Sequence, residues 1–189
     1  MILIISVCQE KIHEFEFVRP IESVLKEKNL PFLTKHYKEL KKQDLEKADK
    51  IIIAGTSLDD NEFLRHLEDF SWIKSTDKPI LGICAGMQII SLIYGGKMKN
   101  KAEMGYYKET FTKPFLGMEG EQEVYHLHNN YTTLPKDFLS FTKSSMPQAI
   151  KHKTKNIYGV LFHPEVRKKI IIENFVRGKP YIFNLLRLF

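Results

Sequence analysis

Apolar residues fall along the chain in short blocks. Residues 2–7 (ILIISV), 49–55 (DKIIIAG) and 78–84 (KPILGIC) are near-continuous apolar runs. Runs of this length without polar alternation are what strands covered on both faces look like. FLTKHY at 32–37 is a weaker fourth strand. The intervening segments follow a helical period instead. In RPIESVLKEKN, Ile21, Val24 and Leu25 share one face and Pro20 suits a first turn. DDNEFLRHLEDFSWIK carries acids near its start, and GMQIISLIYGG closes on two glycines, so both read as helices. Strands alternating with helices predict an α/β fold: a central, mainly parallel sheet flanked by helices, with right-handed crossovers.

The pattern changes after residue 105. Residues 106–162 have no sustained helical period, and YYKETFT, EQEVYHLH, LSFTKS, QAIKHK and IYGVLFH read as five short strands. They predict an antiparallel extension of the same sheet. RKKIIIENFVRG is an amphipathic closing helix, followed by the apolar stretch KPYIFNLLRLF. With 189 residues, no repeat and no linker, the expectation is a single domain over 1–189.

Composition narrows the function classes. The net charge is +6, but acids interrupt the lysines, so the charge reads as a solvated surface rather than a nucleic-acid groove. No apolar run reaches the ~18 residues of a membrane span, and the first residues lack a basic leader. Two cysteines, Cys8 and Cys84, do not make a disulfide framework, which predicts a cytoplasmic protein. No nucleic acid, membrane, cofactor or metal is expected; no metal-ligand spacing stands out.

The chemistry centres on Gly82-Ile83-Cys84-Ala85-Gly86. A lone buried cysteine is a good small hydrophobe. Here, however, glycines stand two before and two after it, between a predicted strand and a predicted helix. That is the spacing of a nucleophile elbow: a sharp turn that presents its central side chain at the carboxyl edge of the sheet. The amino end of the following helix favours a thiolate, and backbone N–H groups there can receive an oxyanion. GVLFHPEV supplies His163 and Glu165, two residues apart. In an extended segment they face the same way, with Pro164 between them opposing a helix. Cys84, His163 and Glu165 thus fit nucleophile, general base and orienter.

GICAGMQ followed by YGVLFHPE resembles the class I glutamine amidotransferases, and the resemblance runs through nearly the whole chain. KIIIAGTS is similar to the family's strand and oxyanion loop, YHLHNNYTTLPKDF to its Ser-His-x-Asp-x-Val segment, and IIENFV to its terminal helix. QAIKHKTKNIYGVLFHPE resembles the glutaminase of GMP synthase in particular. The resemblance implies a flavodoxin-like fold and hydrolysis of L-glutamine through a γ-glutamyl thioester. It implies oxyanion donors at Ala85 and at Gly55-Thr56, and glutamine contacts from Gln88, His128 and Asn129. It also implies a separate synthase subunit of the ATP-pyrophosphatase type as partner. Glutaminases of anthranilate or aminodeoxychorismate synthesis, a stand-alone γ-glutamyl hydrolase and a non-catalytic regulatory relative are the alternatives. Three positions depart from the family pattern. Ala85 and Met87 replace the frequent Leu and His, and Thr56 replaces a glycine whose positive φ a β-branched residue resists. The first strand ends SVCQEKIHE rather than in the DNGGQY of GMP synthase glutaminases.

Overall fold

The computed structural model describes residues 1–178; the apolar stretch at 179–189 lies outside the described residues. The chain begins with β1 (Ile2–Ser6), then a short α1 (Glu14–Phe17) and α2 (Arg19–Glu27). β2 (Phe32–His36), α3 (Lys42–Lys47) and β3 (Lys50–Ile53) follow. A 3₁₀ segment spans Glu62–Lys74 before β4 (Ile80–Ile83) and α4 (Ala85–Ile93). Two long strands, β5 (Met98–Phe115) and β6 (Met118–Thr132), come next, then β7 (Phe138–Ser140), β8 (Ala149–His152) and β9 (Ile157–Val160). α5 (Pro164–Arg167) and α6 (Ile170–Arg177) close the described chain.

The main sheet has seven strands in the order β2-β1-β3-β4-β9-β8-β7. The pairings from β2 through β9 are parallel, and β8 and β7 add the expected antiparallel edge. The apolar runs follow from burial on both faces. Within β1, Ile2 and Ile4 belong to one core and Leu3 and Ile5 to the other, the period-two alternation of a pleated strand. α2 and α6 cover the first core; the 3₁₀ segment and α4 cover the second.

Two elements differ from the sequence expectation. YYKETFT and EQEVYHLH do not extend the main sheet. They lie in β5 and β6, which pair only with each other as a long antiparallel hairpin, joined to the rest by the bridge Phe111–Thr142. The expected helix at 59–74 is 3₁₀ rather than α, with a break at His66 (φ −127°, ψ 30°). The physical reason is visible in the spacing. Leu64, Leu67, Phe70 and Ile73 recur every third residue, which aligns them on a helix with three residues per turn.

Candidate active site

Three adjacent parallel strands, β3, β4 and β9, end at the same edge of the sheet, and the chain leaving them carries Gly55, Cys84 and His163. Cys84 caps α4 with φ 48° and ψ −105°, a conformation that L residues rarely adopt. The turn is possible because of its neighbours. A Cβ on Gly82 would lie 2.5 Å from the Gly86 carbonyl carbon, and one on Gly86 would lie 2.2 Å from the Ile53 carbonyl oxygen. Both glycines are therefore demanded by close backbone approach. Met87, one of the departures from the family pattern, has a packing role: its Cγ would lie 2.8 Å from a Cβ built on Gly159 of β9.

His163 and Glu165 are brought together, but not as an extended pair. His163 is extended (φ −104°, ψ 92°), and Pro164 then opens α5 at its first position instead of opposing a helix. Proline suits that position because its missing N–H has no helical partner there anyway. Glu165 lies in the first turn, and its Oε1 sits 2.7 Å from His163 Nδ1. The backbone N–H of His163 donates to the Tyr125 carbonyl at 2.9 Å, tying this turn to β6.

One carbonyl organises the other side of the imidazole. Leu127 O lies 3.3 Å from His163 Nε2 and 3.6 Å from Cys84 Sγ. A carboxylate faces Nδ1 and a carbonyl faces Nε2. Both accept only, so the network assigns a proton to each nitrogen and makes the ring an imidazolium. Burial opposes that charge, but Glu165 and Cys84 outweigh it and hold the His163 pKa well above its ordinary value. The sulfur therefore has a cation beside it, and the thiolate is the reactive form of a cysteine.

Gly55 closes the other flank. A Cβ there would stand 2.8 Å from His163 Cε1 and 3.3 Å from Cys84 Cβ, so glycine leaves room for the ring. Thr56 is not held at positive φ; besides glycines, only Asn29, Cys84 and Leu116 are among the described residues. Its hydroxyl donates to Asp60 Oδ2 at 2.6 Å, and Asp60 also accepts from the Gln9 backbone. Cys8 is buried beneath this loop with its sulfur 3.7 Å from the Gly55 carbonyl, and burial pushes its thiol pKa up, against hydrogen bonds from Thr56 and Ser6.

A narrow cleft opens in front of the sulfur. Six of the residues singled out from sequence line it: Cys84, Ala85, Thr56, Gln88, His128 and Asn129. His163, Glu165 and Gly55 stand behind. Gln88 Nε2 donates to the Asn130 carbonyl at 2.8 Å, and Asn129 Nδ2 to the Leu58 carbonyl at 3.4 Å. These bonds tie α4 and the 56–60 loop to β6. Three participants have no counterpart in the sequence reading: the Leu127 carbonyl, Asp60 and Asn130. The first and last act through backbone, which leaves no mark in side-chain identity. Asp60 reads as an ordinary acid near a helix start.

The comparisons with known proteins agree with this geometry. The family model "Glutamine amidotransferase class-I" matches residues 14–177. One of the two subunits named for a glutamine-hydrolysing GMP synthase in Methanobrevibacter smithii is 34% identical over 116 residues, covering 55% of this chain and 61% of that protein. A glutamine-hydrolysing GMP synthase of Staphylococcus epidermidis is 37% identical over 110 residues, 52% of this chain but only 21% of that protein. The match thus spans less than two thirds of the archaeal relative and about a fifth of the bacterial one. Among solved structures, a putative GMP synthase subunit from Thermoplasma acidophilum superposes with a TM-score of 0.80 at 27% identity, covering 93% of this chain and 92% of its own. A glutamine amidotransferase from Thermotoga maritima shares the fold, with a TM-score of 0.69 at 20% identity over 87% of this chain and 76% of that one.

Proposed function

The chain belongs to the class I glutamine amidotransferases, and on that premise we propose that residues 1–189 form one glutaminase domain. It hydrolyses L-glutamine and passes ammonia to a separate synthase subunit, with amination of xanthosine monophosphate in GMP synthesis as the best-supported use. The observation that carries the chemistry is the convergence of Cys84, strained on its elbow, with a buried imidazolium whose far nitrogen is 2.7 Å from Glu165. Similarity to proteins named as GMP synthases supports the pathway.

The steps follow from the proton inventory. The Cys84 thiolate attacks the side-chain amide carbon of glutamine, and the amide oxygen becomes an oxyanion. The Ala85 N–H, at the amino end of α4, and an N–H of the Gly55-Thr56 loop are its donors. The imidazolium gives its Nε2 proton to the departing nitrogen, and ammonia leaves as the C–N bond breaks. A γ-glutamyl thioester remains. His163, now neutral, takes a proton from water as the hydroxyl adds to the thioester carbon. The C–S bond then breaks, restoring thiolate and imidazolium and releasing glutamate. Glu165 holds the ring and balances its charge throughout.

An apolar face beside the site supports a docking partner. Ile12 and Phe15 are 70% and 68% exposed, just before Phe17, whose ring lies 5.4 Å from that of His163. Val166, next to Glu165, is also exposed. A synthase subunit seated there presses on the element that backs the imidazole.

The test is glutamine-dependent ammonia release by the chain, by itself and with an ATP-pyrophosphatase-type synthase subunit. The reading expects stimulation on mixing, and GMP formation when xanthosine monophosphate and ATP are supplied. Full turnover by the lone chain, unchanged on mixing, would favour a stand-alone γ-glutamyl hydrolase. Absence of any glutamine hydrolysis in both settings would favour a non-catalytic relative.

A further inference from the structure

Behind the cleft, the β5–β6 hairpin encloses a polar cluster for which the glutaminase reading has no use. His126 and His128 are two apart on β6, so their side chains share one face. Glu103, on β5, is the registered partner of His128. Glu103 Oε2 lies 2.7 Å from His126 Nδ1 and 3.4 Å from His128 Nε2, and one ligand atom from each residue falls within a 4.8 Å group. His126 is 0% exposed and His128 2%. Neither ring nitrogen of His128 makes a well-formed hydrogen bond among the described residues, and His126 Nε2 and Gln148 Oε1 are likewise orphaned. Unpaired buried polar atoms are costly and rare, so this many in one place point to a missing ligand.

We propose that Glu103, His126 and His128 bind a divalent transition-metal ion of the zinc class, which clamps the hairpin behind the active site. Two imidazoles and a carboxylate are an ordinary zinc donor set, and they disfavour magnesium and calcium, which take oxygen ligands. At metal–ligand bonds of ~2.0–2.2 Å, tetrahedral ligand atoms lie ~3.3–3.6 Å apart, so the Glu103–His128 spacing already fits and the Glu103–His126 contact opens by about 0.6 Å. Water takes the fourth position. Burial keeps both imidazoles neutral, the metal-binding form, and lowers the His128 pKa to about 4.

The surroundings supply outer support. Gln148 Nε2 donates to Glu103 Oε2 at 3.2 Å, and Glu109 Oε1 stands 3.7 Å from His126 Nε2. That is the carboxylate–histidine–metal arrangement in which an outer carboxylate orients a ligand ring. Lys101 Nζ, 3.1 Å from Glu103 Oε1, is the one nearby cation in conflict with an ion; its half-exposed side chain turns to solvent, and Oε2 remains for the metal. The position of Leu127 gives the site its consequence. It lies between the two ligand histidines and presents its carbonyl to Cys84 and His163. Fixing residues 126 and 128 fixes that carbonyl.

The test uses metal alone, on chelator-stripped full-length protein carrying Cys84→Ser, which removes the thiolate as a competing ligand. Zinc titration by calorimetry should give one equivalent per chain. Cobalt should give the intense visible absorption of a tetrahedral site, without a sulfur charge-transfer band. Glu103→Gln in this background keeps the shape and should weaken zinc by about 100-fold or more, and Glu109→Gln by about 10-fold. Independently of any ligand variant, zinc should shift the ring resonances of His126 and His128. Absence of stoichiometric binding to the Cys84→Ser protein, unmoved histidine resonances, or undiminished affinity in Glu103→Gln would each overturn the proposal. Because the readouts are binding and spectra, they stand whether or not the chain hydrolyses glutamine.

Discussion

The main sheet and the β5–β6 hairpin meet at Cys84, yet they are built on opposite rules. The strands β1, β3, β4 and β9 are four or five residues long, with an almost wholly buried apolar composition. The hairpin strands are 18 and 15 residues long and largely exposed, and several of their buried side chains are polar: Glu109, His126, His128 and Thr132. The sheet presents the reacting atoms from its rigid edge. The hairpin contributes what surrounds them: the Leu127 carbonyl, Asn129, Asn130 and the buried cluster. The comparison suggests a division of labour in which reacting groups sit on short buried strands and recognition groups on a half-detached ribbon.

The sharpest way to break this division is through the sheet-borne residues. Cys84→Ala and His163→Ala should each lower kcat by about 10⁴-fold or more while leaving the far-ultraviolet circular dichroism unchanged. A diazo-ketone glutamine analogue should label Cys84 and spare Cys8, as read by peptide mass spectrometry. Glu165→Gln keeps a polar partner but loses the charge, so a smaller fall in kcat, on the order of 10²–10³, is expected in the same steady-state assay. A larger loss than in His163→Ala would reverse the assigned roles. Gly55→Ala forces a methyl toward the imidazole and should cost about 10²-fold in kcat with little change in KM.

The hairpin should respond differently. Asn129→Ala should raise KM about 10-fold and leave kcat within about 3-fold, the signature of lost uniform binding. If Asn129→Ala instead lowers kcat at constant KM, the two regions are not divided as proposed. The smallest effect expected is in stability against pH, and it separates the regions by sign. His163 has a raised pKa in the fold, so its stabilisation is complete below the unfolded value of ~6.5 and is lost as pH rises through the folded value. His128 has a lowered pKa, so its contribution runs the other way: stability falls as pH drops from ~6.5 toward about 4. Urea midpoints across pH should show Glu165→Gln flattening the alkaline limb and His128→Gln the acid limb.

The same contrast explains how much is legible in the sequence. The parallel sheet can be read directly, because strands covered on both faces must be apolar and their length and position follow from that alone. The elbow and the His-Pro-Glu turn are legible because they rest on residue types with few substitutes. The hairpin is half legible. YYKETFT and EQEVYHLH read as strands, but residues 98–105 (MKNKAEMG) carry no period that marks a strand, and nothing local says which sheet an exposed strand joins. Glu103 and the two histidines lie more than twenty positions apart, so only the pairing register brings them together. The 3₁₀ segment passes for α because acids and apolar residues mark a helix start equally in both, while its three-residue repeat is the distinguishing sign.

The alternation at His126-Leu127-His128 also limits how the chain tolerates insertions and deletions. One residue gained or lost between the turn at Leu116-Gly117 and position 126 exchanges the two faces of β6 downstream. The Leu127 carbonyl then points away from the sulfur, and the histidines leave their enclosure. Changes of two residues preserve parity, and the β5–β6 pairing already absorbs irregularities at Asn100/Glu103 and Phe111/Phe115. Length variation in this hairpin should therefore survive in even steps, or be confined to its tip, where a mismatch is resolved before it reaches the cleft.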